Sequence, residues 1–306
     1  MTRHLTARAA SAVITILAVI TLVFFLIRLS GDPAVLLLPP SATQQDIQQL
    51  RTELGLTRPL WVQYGTFIWG VVTRGDFGQS FRLGESALRV VVGRIVPTAE
   101  LTFAAVVIAV GAGVPAGVVS GLRPGGWADA SVQGFVLLGQ SVPTFWLGIL
   151  FLLLFAVKLG WFPVMGIGGF SHLLLPAITL GAPTAALISR MLRSSILEIV
   201  HEDYVRTARA KGFSERAVIS KHILRNAIIP TVTVLGLNAG FLMGGAVVTE
   251  TVFSYPGMGL LTIQAIYGRD YPIVQAFVVV AAVAITLFNL LADVVYAVVD
   301  PRIRYQ

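Results

Sequence analysis

The strongest constraint on this chain is the recurrence of apolar runs close in length to the thickness of a bilayer's hydrocarbon core. Five or more runs approach or exceed the roughly 20 residues that an α-helix needs to cross it. The first of them, residues 9–27, carries no charge. Charged residues make up only 12% of the chain and hydrophobic ones 56%, whereas soluble domains carry about twice that charge. These features define an all-α polytopic membrane protein. A net charge of +7 and a sequence pI of about 10.1 would suggest nucleic acid in a soluble chain. Here basic residues gathered in loops retained in the cytoplasm account for the balance, and no nucleic-acid partner is expected. The absence of cysteine excludes disulfides, thiolate metal sites and cysteine nucleophiles.

Hydropathy places spans at 9–27, 101–122, within 130–157, near 173–190, at 227–249 and at 271–292. The third is long enough to tilt or kink at Pro143, and the fourth is the weakest, interrupted by Pro176 and Pro183. Arg3 and Arg8 precede the first run, but it outlasts the roughly 7–15 residues of a signal-peptide core, so an uncleaved span is expected. Between the first two spans, SATQQDIQQLRTELGL reads as a short soluble helix. Thr43 and Asp46 have capping-box spacing, and Ile47, Leu50 and Leu54 share a face. LWVQYGTFIWGVV, residues 60–72, is apolar but too short to span, and its Trp61, Tyr64 and Trp69 suit a membrane interface. The expected division is therefore 1–29 for the N-terminus and first span, 30–97 for a small extracytoplasmic subdomain lying on the bilayer, and 98–306 for a five-span core.

Orientation follows from the basic residues. Arg3 and Arg8 flank the first span, Arg302 and Arg304 follow the last, and residues 190–225 hold eight Lys and Arg. The short loops after spans three and five hold only Lys158 and Arg269. Both termini and the segment 193–226 are thus expected in the cytoplasm. Glycines recur every fourth residue at Gly113, Gly117 and Gly121 in the second span and at Gly236, Gly240 and Gly244 in the fifth. Such stripes let helix backbones approach closely, either within this chain or against a second subunit or moving gate.

Several chemistries fail. No lysine follows a glycine, so there is no phosphate-binding GK[ST] loop, and Val205 stands where a zinc-protease HExxH pattern needs its second histidine. The four histidines fall in separate segments, which leaves no metal site and no catalytic residue to name. A proton- or sodium-coupled carrier should bury ionisable groups near the midplane, yet Glu100, Glu250 and Asp293 lie at span ends and the deeper polar groups are Asn238 and Asn289. The energy source is expected outside this chain.

One charged island, HEDYVRTARAKGFSERAVISKHILRN (201–226), interrupts the apolar sequence. Its pattern reads as a helix–turn–helix, with Gly212 suited to a left-handed helix end and Ser214 able to cap the second helix. Small residues at Ala208 and Ala210 let another protein's surface come close. On the residues alone, a docking element and a solvated loop both remain open.

YVRTARAKG (204–212) followed by HILRNAIIP (222–230) resembles the coupling segment of ABC importer permeases of the dipeptide, oligopeptide and nickel branch. The family pattern of Glu-Ala-Ala, three residues and Gly falls here on Arg206, Thr207, Ala208 and Gly212. Arginine and threonine in the first two places depart from the general form and look like the peptide branch. GDPA (31–34), LGLTRPLWVQY (54–64), GDFGQSF (75–81), ETVFSYPGMG (250–259) and the terminal DPRIR resemble the same branch, in order along the chain. Leu260 departs, since many relatives carry arginine after the PGxG turn.

The resemblance implies six transmembrane helices of the type I importer kind and a half-permease in a bacterial or archaeal cytoplasmic membrane. A second homologous permease would complete the pore, and two ABC ATPase subunits, which bind the ATP and Mg, would dock on the cytoplasmic loops. An extracytoplasmic solute-binding protein would deliver the solute, and membrane lipid surrounds the spans. Tyr204, Val205, Arg206, Thr207, Ala208, Arg209 and Gly212 would transmit movement, with Ala208 against the ATPase groove. Glu250, Pro256 and Gly257 would form or support an outer gate, and Asn238, Gly240, Met243 and Gly244 are pathway candidates, with ordinary helix packing as the competing reading. Di- or oligopeptides are the expected solutes, with nickel, a nickel chelate or glutathione as alternatives. A secondary carrier or channel is the alternative of another class.

Overall fold

The computed structural model describes residues 2–29 and 31–299, with side chains over 13–287 except at 30, 233, 237, 239, 241 and 245. The side chains of Arg3, Arg8, Asn289 and Asp293, and the whole DPRIR stretch, lie outside the described residues. Helices follow the apolar runs. The long α1 (Thr2–Leu29) leads to the short α2 (Pro33–Leu37), α3 (Gln44–Glu53), α4 (Leu60–Arg74) and α5 (Ala87–Val92). Next come α6 (Ile95–Leu122), α7 (Trp127–Ser141) and α8 (Thr144–Phe151), the last running on as a π-helical segment, Leu152–Lys158. After α9 (Phe170–Ile199), α10 (Asp203–Ala210) and α11 (Glu215–Ala217), a second π-helical segment, Val218–Leu224, leads into α12 (Arg225–Val252). α13 (Met258–Tyr267) and α14 (Tyr271–Val299) complete the order.

Among the described residues, 87–122 and 170–199 are by themselves long and apolar enough to cross a membrane, and α7 with α8 makes a third crossing if the bent pair is one span. Shorter apolar stretches, Val13–Leu29, Leu242–Val252 and Tyr271–Leu287, stand where spans one, five and six are expected. One expectation needs correction, and it concerns the fourth span. The third takes the kinked of its two expected forms: its halves turn by 109° between Ser141 and Thr144, at Pro143. Val142 adopts an extended conformation because the ring of Pro143 disfavours helical geometry in the residue before it, and Pro143 has no N–H to continue the ladder. The fourth span, conversely, is uninterrupted, with Pro176 and Pro183 inside a 30-residue helix. Its apolar window has a mean hydropathy of 1.5 against 2.1 for residues 87–122, but 56% of it is buried against 28%. A helix surrounded by protein can carry Ser, Thr and Pro that a lipid-facing helix cannot.

The chain divides into two compact units, residues up to 98 with 256–284, and residues 99–255 with the segment from 285 onward. In the first unit the expected capping box forms. Thr43 Oγ1 accepts from the Asp46 N–H at 3.2 Å and the Asp46 carboxylate accepts from the Thr43 N–H at 2.8 Å, which starts α3. Trp61 and Trp69 on α4 are exposed, as an interface helix requires, but Tyr64 turns inward. Its hydroxyl meets Thr21 Oγ1 at 2.7 Å and its ring lies against Phe24 and Phe25 of α1. The GDPA turn is fastened to the residues before α14: Arg269 donates to the Asp32 carbonyl at 3.0 Å, and the Tyr271 hydroxyl donates to the Gly31 carbonyl. A Cβ on residue 31, at φ +116°, would sit 2.5 Å from Arg269 Cζ, so only glycine fits.

In the second unit α9 is the hub. The ladder of α6 packs on it: Cβ atoms at Gly113, Gly117 and Gly121 would lie 2.6 Å from the Ala185 carbonyl oxygen, 2.8 Å from that of Ser189 and 2.9 Å from Ile196 Cβ. Gly181 of α9 approaches the Ala105 carbonyl equally closely. On α12, by contrast, Gly244 faces open space and makes no close approach.

Candidate functional site

The island folds as the helix–turn–helix expected. Lys211 caps α10, Gly212 follows at φ +79°, and the Phe213 N–H reaches back to the Ala208 carbonyl at 3.3 Å while the Gly212 N–H bonds that of Arg209 at 3.0 Å. This is the Schellman arrangement, and a left-handed φ makes glycine the favoured residue there. Ser214 then caps α11 by accepting from the Ala217 N–H at 3.4 Å. Arg209 reaches across the turn to Glu215 with two contacts, at 2.8 and 3.2 Å. The pairing holds the Glu215 carboxyl below its ordinary range and raises Arg209.

α10 has two faces. Tyr204, Arg206, Thr207, Arg209, Ala210 and Gly212 are exposed. Val205 is fully buried and Ala208 is 4% exposed, in an apolar cluster with Leu192 and Ile196 of α9, Val218 and Ile223 of the π segment and Ala227 of α12. Val114, Val118 and Leu122 of α6 pack against the same cluster. Ala208 therefore turns into this chain, a correction to the expectation that it faces outward to receive a partner; its smallness serves packing beneath the helix. Tyr204 is braced from its edge, its hydroxyl accepting from Asn226 Nδ2 at 3.1 Å.

The pathway candidates lie along α12 and on the turn that follows it. Asn238 Nδ2 donates to its own helix at the Val234 carbonyl, 2.9 Å away. Gly240 and Met243 are buried, and Glu250, fully buried, lies about 18 Å farther along α12 than Asn238 at 1.5 Å per residue. Pro256 and Gly257 begin a turn of the first unit, where Arg94 donates to the Pro256 carbonyl at 3.3 Å and Thr98 Oγ1 accepts from the Met258 N–H at 2.9 Å, starting α13.

Two polar clusters escaped sequence reasoning. Asp129 of α7, 5% exposed, receives a bidentate pair from Arg193 of α9 at 2.9 and 3.0 Å, the Ser120 hydroxyl, and the Gly125 N–H at 2.9 Å. Asp270, 2% exposed, accepts from Ser80 Oγ and from the N–H of Phe81 at 3.1 Å. Arg193 lies 64 positions from Asp129 and Ser80 190 from Asp270, so no local spacing announces these two pairs.

The chain belongs to the family described as binding-protein-dependent transport system inner membrane component, whose model matches residues 113–305, with the family's N-terminal model matching residues 1–102. It is thus a permease subunit of an ABC importer, an inner-membrane protein that works with ATPase and binding-protein subunits and is not catalytic on its own. The glutathione transport system permease proteins GsiC of Escherichia coli (strain K12) and Salmonella typhi are each 41% identical over 307 residues, with both chains covered completely. Among solved structures, the MetNI methionine ABC transporter in inward-facing conformations is similar over 69% of this chain and 97% of that one, with a TM-score of 0.59 at 22% identity. An amino acid ABC transporter with histidines gives 0.56 at 15% identity, over 68% and 94%. These likenesses establish the type I importer permease fold.

Proposed function

We propose that this chain forms half of the translocation pathway of a peptide importer, beside one homologous permease, with two ATPase subunits docked on residues 193–226. In this reading both termini and that segment are cytoplasmic and residues 30–97 are extracytoplasmic, as the distribution of Lys and Arg favours. The observation that carries the docking assignment is the two-sided build of α10. Tyr204, Arg206, Thr207 and Arg209 present a polar face, while Val205 and Ala208 anchor the helix to α6, α9 and the start of α12. A partner that pushes on the exposed face displaces that cluster rather than bending a loose loop. Gly212 sets the turn that ends the lever. On α12, the open space at Gly244 favours it over Asn238, Gly240 and Met243 as a position along the path. Glu250, Pro256 and Gly257 are proposed as outer-gate supports.

The solute is proposed to be a short peptide, and the relatives named for glutathione favour a glutathione-sized one. The test is uptake of labelled dipeptides and of glutathione into proteoliposomes of the assembled importer with its binding protein. ATP-dependent uptake of either class is expected, and ATP-independent uptake by this chain alone would make it a carrier or channel and end the proposal. Because the chain lacks cysteine, Cys introduced at Ser41 should label from outside intact cells and Cys at Ser214 only after permeabilisation; the reverse pattern would invert the orientation.

A further inference from the structure

The first unit contains a cavity of about 320 Å³, within the size range of small-ligand pockets. It is walled by the last turn of α1, the 54–58 turn, α4, residues 76–81 and the first turns of α14. Its wall includes the aromatic Phe67 and Phe77 as well as the polar Arg28, Arg58 and Gln275. Gln275 is 5% exposed, and its Nε2 has no hydrogen-bond partner. A buried amide donor without an acceptor is costly, and a small rotation of this cavity-lining side chain would bring it to an acceptor held there.

Arg28 strengthens the case. Its guanidinium donates to Gln63 Oε1 at 3.2 Å and to the Phe24 carbonyl at 2.9 Å, and lies 3.4 Å over the Phe24 ring. Among the described residues no carboxylate pairs with it within 4 Å. Asp76, the acidic residue of the wall, is occupied by the Gly78 N–H at 2.8 Å. The cavity therefore combines cationic and amide donors with aromatic carbon in one wall. That combination fits an amphiphile whose anion is an oxyanion.

Position selects the source. Arg28 ends the first apolar helix and Gln275 lies in the second turn of the last, so both stand where spanning helices leave the hydrocarbon. Beside them α4 exposes Trp61 and Trp69, residues suited to the headgroup layer. We propose that this cavity binds a phospholipid, its phosphodiester oxygens accepting from Arg28 and Gln275 and its glycerol–acyl portion lying against Phe67 and Phe77.

The test uses the assembled importer, stripped of lipid in detergent, with thermal unfolding and retained lipid both measured. Phosphatidylglycerol should raise the unfolding temperature in a dose-dependent way. Gln275→Met and Arg28→Gln should each weaken that response by about tenfold in apparent affinity, the scale of one lost charge-assisted hydrogen bond. Arg123→Gln, exposed on the other unit, should leave it unchanged. Gln275→Met removes an unpartnered amide, so it should fold at least as well as the parent and keeps the test free of misfolding. Equal lipid response in the parent and Gln275→Met would overturn the site. Stabilisation by diacylglycerol would overturn the oxyanion, and equal stabilisation by inorganic phosphate would overturn the lipid as its source.

Discussion

Ala208 separates packing from docking. It is 4% exposed, in an apolar cluster with Val205, Leu192, Ile196, Val218, Ile223 and Ala227. Ala208→Asp thus buries an unpaired charge, and leaving such a charge uncompensated costs about 3–5 kcal/mol. That is a large part of the 5–15 kcal/mol typical of a whole domain, so the variant should loosen the island even in the isolated chain. Two exposed neighbours supply the contrast. Ala210→Asp changes charge on the exposed side, and Arg206→Glu removes only a solvent-exposed pair with Asp203 at 3.5 Å, so each should alter stability by less than about 1 kcal/mol. If the outer face of α10 receives the ATPases, those two variants keep their unfolding temperature yet lose subunit retention and substrate-stimulated ATP hydrolysis. The assay is thermal unfolding of the purified chain beside co-purification and hydrolysis of the complex. Parental hydrogen-exchange protection over 203–227 in Ala208→Asp would refute the inward packing. Undiminished coupling in both surface variants would refute the docking face.

Gly117→Ala forces a Cβ to 2.8 Å from the Ser189 carbonyl oxygen and should cost about 1–3 kcal/mol, whereas Gly134→Ala, with nothing within 4 Å, should be neutral or gain up to about 1 kcal/mol in helix propensity; thermal scans of both report it. Asp129→Ala strands Arg193, 27% exposed, and should cost about 3 kcal/mol, of which the double change Asp129→Leu with Arg193→Met recovers most, as a double-mutant unfolding cycle measures. Glu215 is held below its ordinary value by Arg209, so its support of the turn is complete above the unfolded value of about 4.3 and fades as pH falls through the folded one; amide protection across 209–215, taken relative to the intrinsic exchange rate at each pH, should fall below about pH 4 in the parent and lose that dependence in Glu215→Gln.

Features written in local spacing were legible. Thr43 and Asp46 three residues apart and Gly212 after eight helical residues each encode a contact within one or two turns, and the structure has both. Features that depend on what a helix packs against were not. α9 reads as a doubtful span because hydropathy measures affinity for lipid, and most of α9 touches protein instead. The glycines of α6 and α12 share one period, yet one ladder meets α9 and Gly244 meets nothing, a difference that only tertiary placement sets. Ala208 shows the same limit: a small residue suits close approach on either side of a helix, and only the neighbouring Val205, also buried, tells which side is inward.

Under the proposed reading α10 works as a lever, and a lever needs something stiff behind it. Close-packed interfaces do not deform gradually, because each atom already touches its neighbours. Along α6 and α9 the backbones are near enough that a single methyl has no room at Gly113 or Gly117, and the bidentate Arg193–Asp129 pair ties α7 to the same stretch of α9. These three helices are therefore fastened together beside the apolar cluster that holds Val205 and Ala208. The connection to α12 is of another kind. It passes through the π-helical Val218–Leu224, where the regular i to i−4 ladder is replaced by a wider one. A push on α10 should consequently reach α6, α7 and α9 as a nearly rigid displacement and reach α12 through a joint able to change register. Transmission of both kinds from one small helix is what alternating access asks of its driven end. It places the sensitivity of coupling at the joint, where Ile223 packs under α10 and Asn226 holds Tyr204.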